Sequence, residues 1–307
     1  MYTGRIIVRW GWSSMINPHR VGFVGLGVMG QSMAAHLLTA GYELHVFNRT
    51  KSKADALLAK GAIWEDSLQS LAEKCEAVIT ILGYPHDVEQ VYLGPGGLVE
   101  TSRPGTLLVD MTTSSPELAK RIYEDGAVQR LKVLDAPVSG GDVGAKAGTL
   151  SIMVGGERDT YETGLSILAC MGKNIVYQGA AGSGQHCKMC NQITIASTMV
   201  GVCEALAYAQ TSGLNPETVL KSISKGAAAS WALENLAPRM LKGDFDPGFF
   251  VKHFIKDMGV AAESAEQMTL GLPGLDLALA RYRELNANGL GDAGTQALFD
   301  LYQGGSA

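Results

Sequence analysis

The sequence predicts an α/β N-terminal domain on a parallel sheet, followed by an all-α C-terminal domain, the two joined by a long helix. Three observations carry that expectation. From Arg20 onward, short β-rich runs alternate with amphipathic segments of helical length. After "GAAGSG" (179–184) no convincing strand recurs and only helical segments follow. The 307 residues suit about two domains at roughly 150 residues each.

Taken in order, the runs at 20–25, 43–47, 77–82, 106–111, 132–138, 150–155 and 174–179 read as strands. The segments between the first five are helical in period, which implies βαβ units. Gly41 after "HLLTA" and Gly61 after "ALLAK" are suited to end helices as left-handed C′ residues. The later helices are expected near 185–212, 215–225, 229–241, 251–271 and 274–289, with a sixth near the end. Asn215 caps the second of these and Pro216 opens it. The expected boundaries are an N-terminal extension at 1–19, an α/β domain at 20–183 and an all-α domain at 184–307.

Composition excludes several classes. With 46% hydrophobic and 18% charged residues the chain can bury a full core. A net charge of −5, with one short basic stretch at 48–53, argues against a nucleic-acid partner. No run of about 18 apolar residues is free of polar interruption, so no membrane span is expected. Five cysteines without a repeated pair fit a reduced, cytoplasmic protein and no metal site. The first twenty residues hold three arginines and no acid; they read as a transit-like leader or, more simply, as sequence upstream of a natural start at Met15.

The first chemical motif is "VGFVGLGVMGQSMAAHLL", in which Gly25, Gly27 and Gly30 stand in G-x-G-x-x-G spacing between a β-rich run and a helix. That context marks a Rossmann-like dinucleotide site rather than a simple glycine-rich turn. Gly25 permits the turn, Gly27 lets a pyrophosphate approach, and Gly30 lets helix and strand pack. The amides of Val28 and Met29 complete the phosphate cradle. The second strand ends in "VFNRT", placing Asn48, Arg49 and Thr50 where an NAD site usually carries an acid. Arg49 can pair a 2′-phosphate, helped by Thr50 and by Lys51 or Lys53, so NADP(H) is preferred with NAD(H) allowed. The alternative is a solvated loop arginine.

The second cluster is "LDAPVSGGDVGAKAGTLSIMVGG" (134–156). Ser139 ends a strand, and the amides of Gly140, Gly141, Gly144 and Gly148 are expected to lie open to a small anion such as a carboxylate. Thr112 and Thr113 follow the neighbouring strand at the same sheet edge, while Ser115 reads as a helix cap. The third cluster, "GSGQHCKMCNQITIASTMVG", places Lys188, Asn191, Gln192 and Ile195 on one helix face. A lysine on an apolar helix with two amides beside it is a candidate general acid or base, because burial lowers its pKa. Cys187 and Cys190 have thioredoxin spacing but lack the surrounding βαβ context and a second ligand pair, so they read as helix filling.

These motifs, with "HFIKDMGVA" (253–261), occur in the order seen in β-hydroxyacid dehydrogenases, and the chain resembles that family over about residues 20 to 305. The family includes 3-hydroxyisobutyrate dehydrogenase, tartronate semialdehyde (2-hydroxy-3-oxopropionate) reductase and glyoxylate/succinic semialdehyde reductases. The resemblance implies a Rossmann domain, an inter-domain helix and an all-α domain that often builds a dimer or tetramer. It implies that Lys188 protonates a carbonyl oxygen, that Ser139, Gly140 and Gly141 hold a carboxylate, and that Thr113 lies at the nicotinamide end. It implies a cofactor-side role for Lys256, supported by Asp257, and a pocket position for Trp231; Phe249 and His253 read more simply as packed core residues. Many members have asparagine four residues after the lysine; here Gln192 stands there and Asn191 precedes it, an order that resembles the bacterial tartronate semialdehyde reductase branch. The expected substrate is a small carboxylate-bearing aldehyde or hydroxy acid. An imine reductase on the same scaffold, which usually replaces the lysine, and a non-catalytic dinucleotide-binding protein are the rival readings.

Overall fold

The computed structural model describes residues 18–303, so all but the last two residues of the 1–19 extension, including the proposed start at Met15, lie outside the described residues. Nine strands form one sheet: β1 Arg20–Val24, β2 Glu43–Phe47, β3 Ile63–Trp64, β4 Ala77–Thr80, β5 Leu107–Asp110, β6 Lys132–Asp135, β7 Val138–Ser139, β8 Leu150–Gly156 and β9 Gly172–Gly179. The order β3-β2-β1-β4-β5-β6 is parallel throughout. β6 and β7 run antiparallel to β8, and β9 pairs with β8 in parallel. The chain reverses its direction of travel across the sheet between β1 and β4, and a crevice opens at their carboxyl ends.

Side-chain alternation builds the two layers over this sheet. Phe23, Ile79 and Val109 enter the core on one face, while Val24, Val78 and Leu108 enter the core on the other. All residues of β4 and β5 are buried, as helices on both faces require. A separate helical core gathers Met199, Cys203, Leu206, Phe254, Met258 and Tyr282. The helix Ser183–Thr211 belongs to both halves, because its first turns dock on the sheet and its remainder lies in the helical core.

Asp135, at the end of β6, anchors that helix by accepting from the Gly182 and Gln185 amides at 2.8 and 2.9 Å. Close approach needs glycine here. A Cβ on Gly184 would strike the Met153 carbonyl oxygen and stand 2.6 Å from the Asp135 carbonyl oxygen. Burial pushes the Asp135 carboxyl up, opposed by those same amide hydrogen bonds.

Several details depart from the sequence expectation. β3 is a two-residue strand, too short to register as a β-rich run. The run 132–138 divides into β6 and β7, although both keep one register against β8, because Ala136 donates back to Asp110 and Pro137 has no N–H. The segment 229–241 becomes two helices, Trp231–Asn235 and Ala237–Leu241, with Pro238 in the first turn of the second. Gly41 and Gly61 take φ of 92° and 101°, as left-handed helix ends do. By length and composition the Ser183–Thr211 helix is able to cross a membrane, contrary to the expectation from uninterrupted runs. In this fold its apolar positions Met189, Ala196, Met199, Cys203 and Leu206 are taken up by the helical core.

Candidate active site

The β1 turn and the helix Gly30–Thr39 form the dinucleotide cradle. Gly25 has φ +99°, and a Cβ there would strike the Ile81 carbonyl oxygen; a Cβ on Gly30 would strike the Gly25 carbonyl oxygen. Nothing lies within 4 Å of a Cβ built on Gly27, which leaves the approach to its backbone open. The amides of Gly27, Val28 and Met29 make no hydrogen bond among the described residues, so three donors at this turn remain unused. Val28 is exposed and Met29 packs on the core beside the turn. These features fit a pyrophosphate.

Asn48, immediately after β2, accepts from the Leu26 amide through Oδ1 at 3.0 Å and donates to the Thr50 carbonyl through Nδ2. It therefore clips the glycine turn to the second strand. Arg49 projects into solvent, with one guanidinium bond of 3.1 Å to Asp87 Oδ1. Thr50 precedes the 3-10 turn Lys51–Ala54. Lys51 sits 5.1 Å over the Trp64 ring, whereas Lys53 is exposed.

At the other end of the crevice, Lys188 is buried, 6% exposed, and its Nζ has no hydrogen bond or ion pair among the described residues. Burial is the main cause that pushes its pKa down from 10.5 to about 8; Asp257 opposes the shift and Lys256 adds to it. Asn191 donates to Gln192 Oε1 at 2.7 Å, and Gln192 donates to Asp257 Oδ2 at 2.6 Å. Asp257 Oδ1 lies 2.6 Å from Lys256 Nζ, which in turn donates to the Thr113 carbonyl at 2.7 Å. Oδ1 accepts no hydrogen bond in a favourable direction, so the Lys256–Asp257 contact is an oblique ion pair. The chain of contacts ties the helix Val251–Gln267 to the loop after β5. Gln192 is engaged at both its oxygen and its nitrogen, while Asn191 Oδ1 accepts no hydrogen bond among the described residues.

The sequence reading missed Gln185. It is fully buried, accepts from Ser114 N at 3.0 Å and donates to the Thr112 carbonyl at 2.8 Å. Thr113 is thereby held from both flanks as well as through Lys256. The available signal was spacing, since Gln185 stands three residues before Lys188 on the same helix face. Thr112 is structural: its Oγ1 accepts from Leu82 N. Ser115 caps the helix Pro116–Val128, as its position suggested.

Ser139 ends β7, against which the long helix packs. Gly140 and Gly141 take φ of 129° and 61°, and their amides have no partner among the described residues. The expectation of four open amides needs correction. A helix forms over Gly141–Ala147, so Gly144 N donates to Gly140 O and Gly148 N to Ala145 O. The open donors are therefore concentrated beside Ser139.

The remaining candidates lie apart from these contacts. Trp231 is 62% exposed and opens a short helix. Phe249 packs on Phe254 within the helical core. His253 packs between Tyr84 and Phe250, and burial followed by Lys256 pushes its pKa down. Burial raises the Cys187 thiol, the reverse of an activated thiolate, and no metal-holding cluster exists among the described residues.

Residues 20–179 match the NAD binding domain of 6-phosphogluconate dehydrogenase, and residues 182–302 match the NAD-binding domain of NADP-dependent 3-hydroxyisobutyrate dehydrogenase. The chain belongs to the β-hydroxyacid dehydrogenase family. Among the relatives of this dehydrogenase is the Arabidopsis thaliana "Probable 3-hydroxyisobutyrate dehydrogenase-like 1, mitochondrial", 48% identical, with 93% of this chain and 86% of that protein covered. Another is the Escherichia coli 2-hydroxy-3-oxopropionate reductase, 37% identical, with coverage of 88% and 92%. The structure of Mycobacterium tuberculosis 3-hydroxyisobutyrate dehydrogenase with L-serine superposes at a TM-score of 0.85, with 29% identity and coverage of 92% and 98%. This dehydrogenase is thus an NAD(P)-dependent enzyme acting on a CH–OH group. When bound, the dinucleotide supplies or accepts the hydride.

Proposed function

We propose that this dehydrogenase is NADP(H)-preferring and interconverts a small β-hydroxy acid with its semialdehyde, tartronate semialdehyde being the leading substrate. The observation that carries the reading is Lys188: a buried, unpaired ammonium with a pKa near 8, one helical turn from the free Asn191 acceptor. In the reductive direction Lys188 Nζ gives its proton to the carbonyl oxygen as the C–H bond forms, and is left neutral. Ser139 and the Gly140 and Gly141 amides supply donors for a substrate carboxylate. The acceptor on Asn191 suits an extra substrate hydroxyl, which tartronate semialdehyde carries. The name of the Escherichia coli relative supports the same substrate.

The Arabidopsis relative favours a second reading, 3-hydroxyisobutyrate, and glyoxylate or succinic semialdehyde belong to the same chemical class. Arg49 in place of an acid after β2 supports NADP(H). Self-association through the all-α domain is part of this reading. The test is NADPH and NADH oxidation measured across tartronate, methylmalonate and succinic semialdehydes and glyoxylate. Tartronate semialdehyde should give the highest kcat/KM; a preference for methylmalonate semialdehyde would favour the second reading. Arg49→Ala should raise the Michaelis constant for NADPH far more than that for NADH, and equal effects would refute the cofactor assignment.

A further inference from the structure

Among the described residues Arg49 has one side-chain partner, and it is an anion. Its guanidinium is 84% exposed, and the single bond to Asp87 Oδ1 leaves the rest of the fork open. Asp87 is held far more firmly, with its side chain only 14% exposed. It stands in the first turn of the helix Pro85–Leu93, where the backbone dipole favours a carboxylate. Its Oδ2 faces Gly83: a Cβ on that glycine would stand 3.4 Å away. The imidazole Nε2 of His86 lies 3.9 Å from Oδ1 while its ring stacks on Tyr84.

We propose that Asp87 is a specificity-determining residue that restrains the preference for NADPH by opposing the 2′-phosphate at Arg49. The inference rests on Arg49 being the group that meets this phosphate. A phosphate bound to the open side of the guanidinium brings close to two negative charges within about 6–8 Å of the Asp87 carboxylate, and shares Arg49 with it. A 2′-hydroxyl brings no charge and competes for nothing. The carboxylate therefore weakens one cofactor selectively, and narrows a gap that Arg49 alone would make wide. Removing the charge while keeping an oxygen acceptor for Arg49 isolates that effect from any orienting role.

The experiment is fluorescence titration of NADPH and NADH, without substrate, into wild type, Asp87→Asn and Arg49→Ala, with thermal melts to verify folding. In Asp87→Asn the Kd for NADPH should fall about three- to tenfold, and that for NADH should change by less than about twofold. The NADPH gain should shrink as ionic strength rises from about 0.02 to 0.5 M, because salt screens exposed charges. An unchanged or weakened affinity for NADPH, or an equal gain for both cofactors, would overturn the role of Asp87 while leaving that of Arg49 standing. If Arg49→Ala weakens both cofactors equally, or neither, the reading of Arg49 fails and the inference fails with it. Asp87→Ala provides a second variant: a loss of NADPH affinity there together with a gain in Asp87→Asn separates orientation from charge and supports the proposal.

Discussion

Replacing Lys188 by methionine removes an ammonium from a position that is 6% exposed and has no ion-pair partner among the described residues, while keeping a side chain of similar reach. Its pKa falls from 10.5 in the unfolded chain to about 8 in the folded protein. Each unit corresponds to about 1.4 kcal/mol, so holding the charge inside costs about 3 kcal/mol at pH 7. Between these two values the unfolded chain binds more protons, so wild-type stability rises with pH across that window. Lys188→Met should therefore be the more stable protein at pH 7, by an amount on the order of 3 kcal/mol, or a Tm increase of roughly 5–10 °C. The difference should be full below pH 8 and disappear towards pH 10.5. Calorimetry or urea unfolding of both proteins across pH 6 to 10, on the order of one unit per step, makes the comparison. A variant that is less stable at pH 7, or a gap that ignores pH, would refute the buried-ammonium account. Turnover should be lost in the same variant, which places function and stability in opposition at one atom.

The same pKa predicts opposite pH profiles for the two reaction directions. Reduction needs protonated Lys188 and should decline above about pH 8, whereas oxidation needs the neutral amine and should rise there; steady-state rates that are flat through this region would remove Lys188 from the proton transfer. Burial pushes Asp110 up to about 6, with Thr80 and Thr112 as hydrogen-bond donors opposing the shift. Asp110→Asn keeps an acceptor for Thr80 Oγ1 and Thr112 N and should raise Tm at pH 8 by more than at pH 5, where the acid is already protonated; an equal shift at both pH values would count against it. Gly184→Ala forces a methyl group against backbone oxygens of Met153 and Asp135 and should destabilise by about 1–3 kcal/mol, read from urea midpoints; an unchanged midpoint would show that the helix can stand off from the sheet.

Much of the fold was legible because it rests on local patterns. The glycine spacing of 25, 27 and 30 has a local steric reason at each position, and Gly41 and Gly61 have the positive φ that their place after a helix implied. β3 was not legible because two residues carry no period, and the division at Leu236 depended on how Pro238 was accommodated. Lys188, Asn191 and Gln192 were visible as a helix face, but their different roles were not. Gln192 is turned inward by Asp257, which lies 65 residues away in sequence. Gln185 and Asp135 escaped notice because each is satisfied largely by main-chain groups, which all residues share and no sequence pattern marks.

The anchoring of the Ser183–Thr211 helix at Asp135 makes it a lever with its fulcrum next to Lys188. Lys188 lies three residues beyond the anchored amide of Gln185, about 4.5 Å along the axis, whereas Thr211 lies about 39 Å from it. A tilt of roughly 5° would carry the far tip through some 3 Å and Lys188 through less than about 0.5 Å. Displacements at the far end of this helix are thus strongly damped at Lys188, which stays almost where it was.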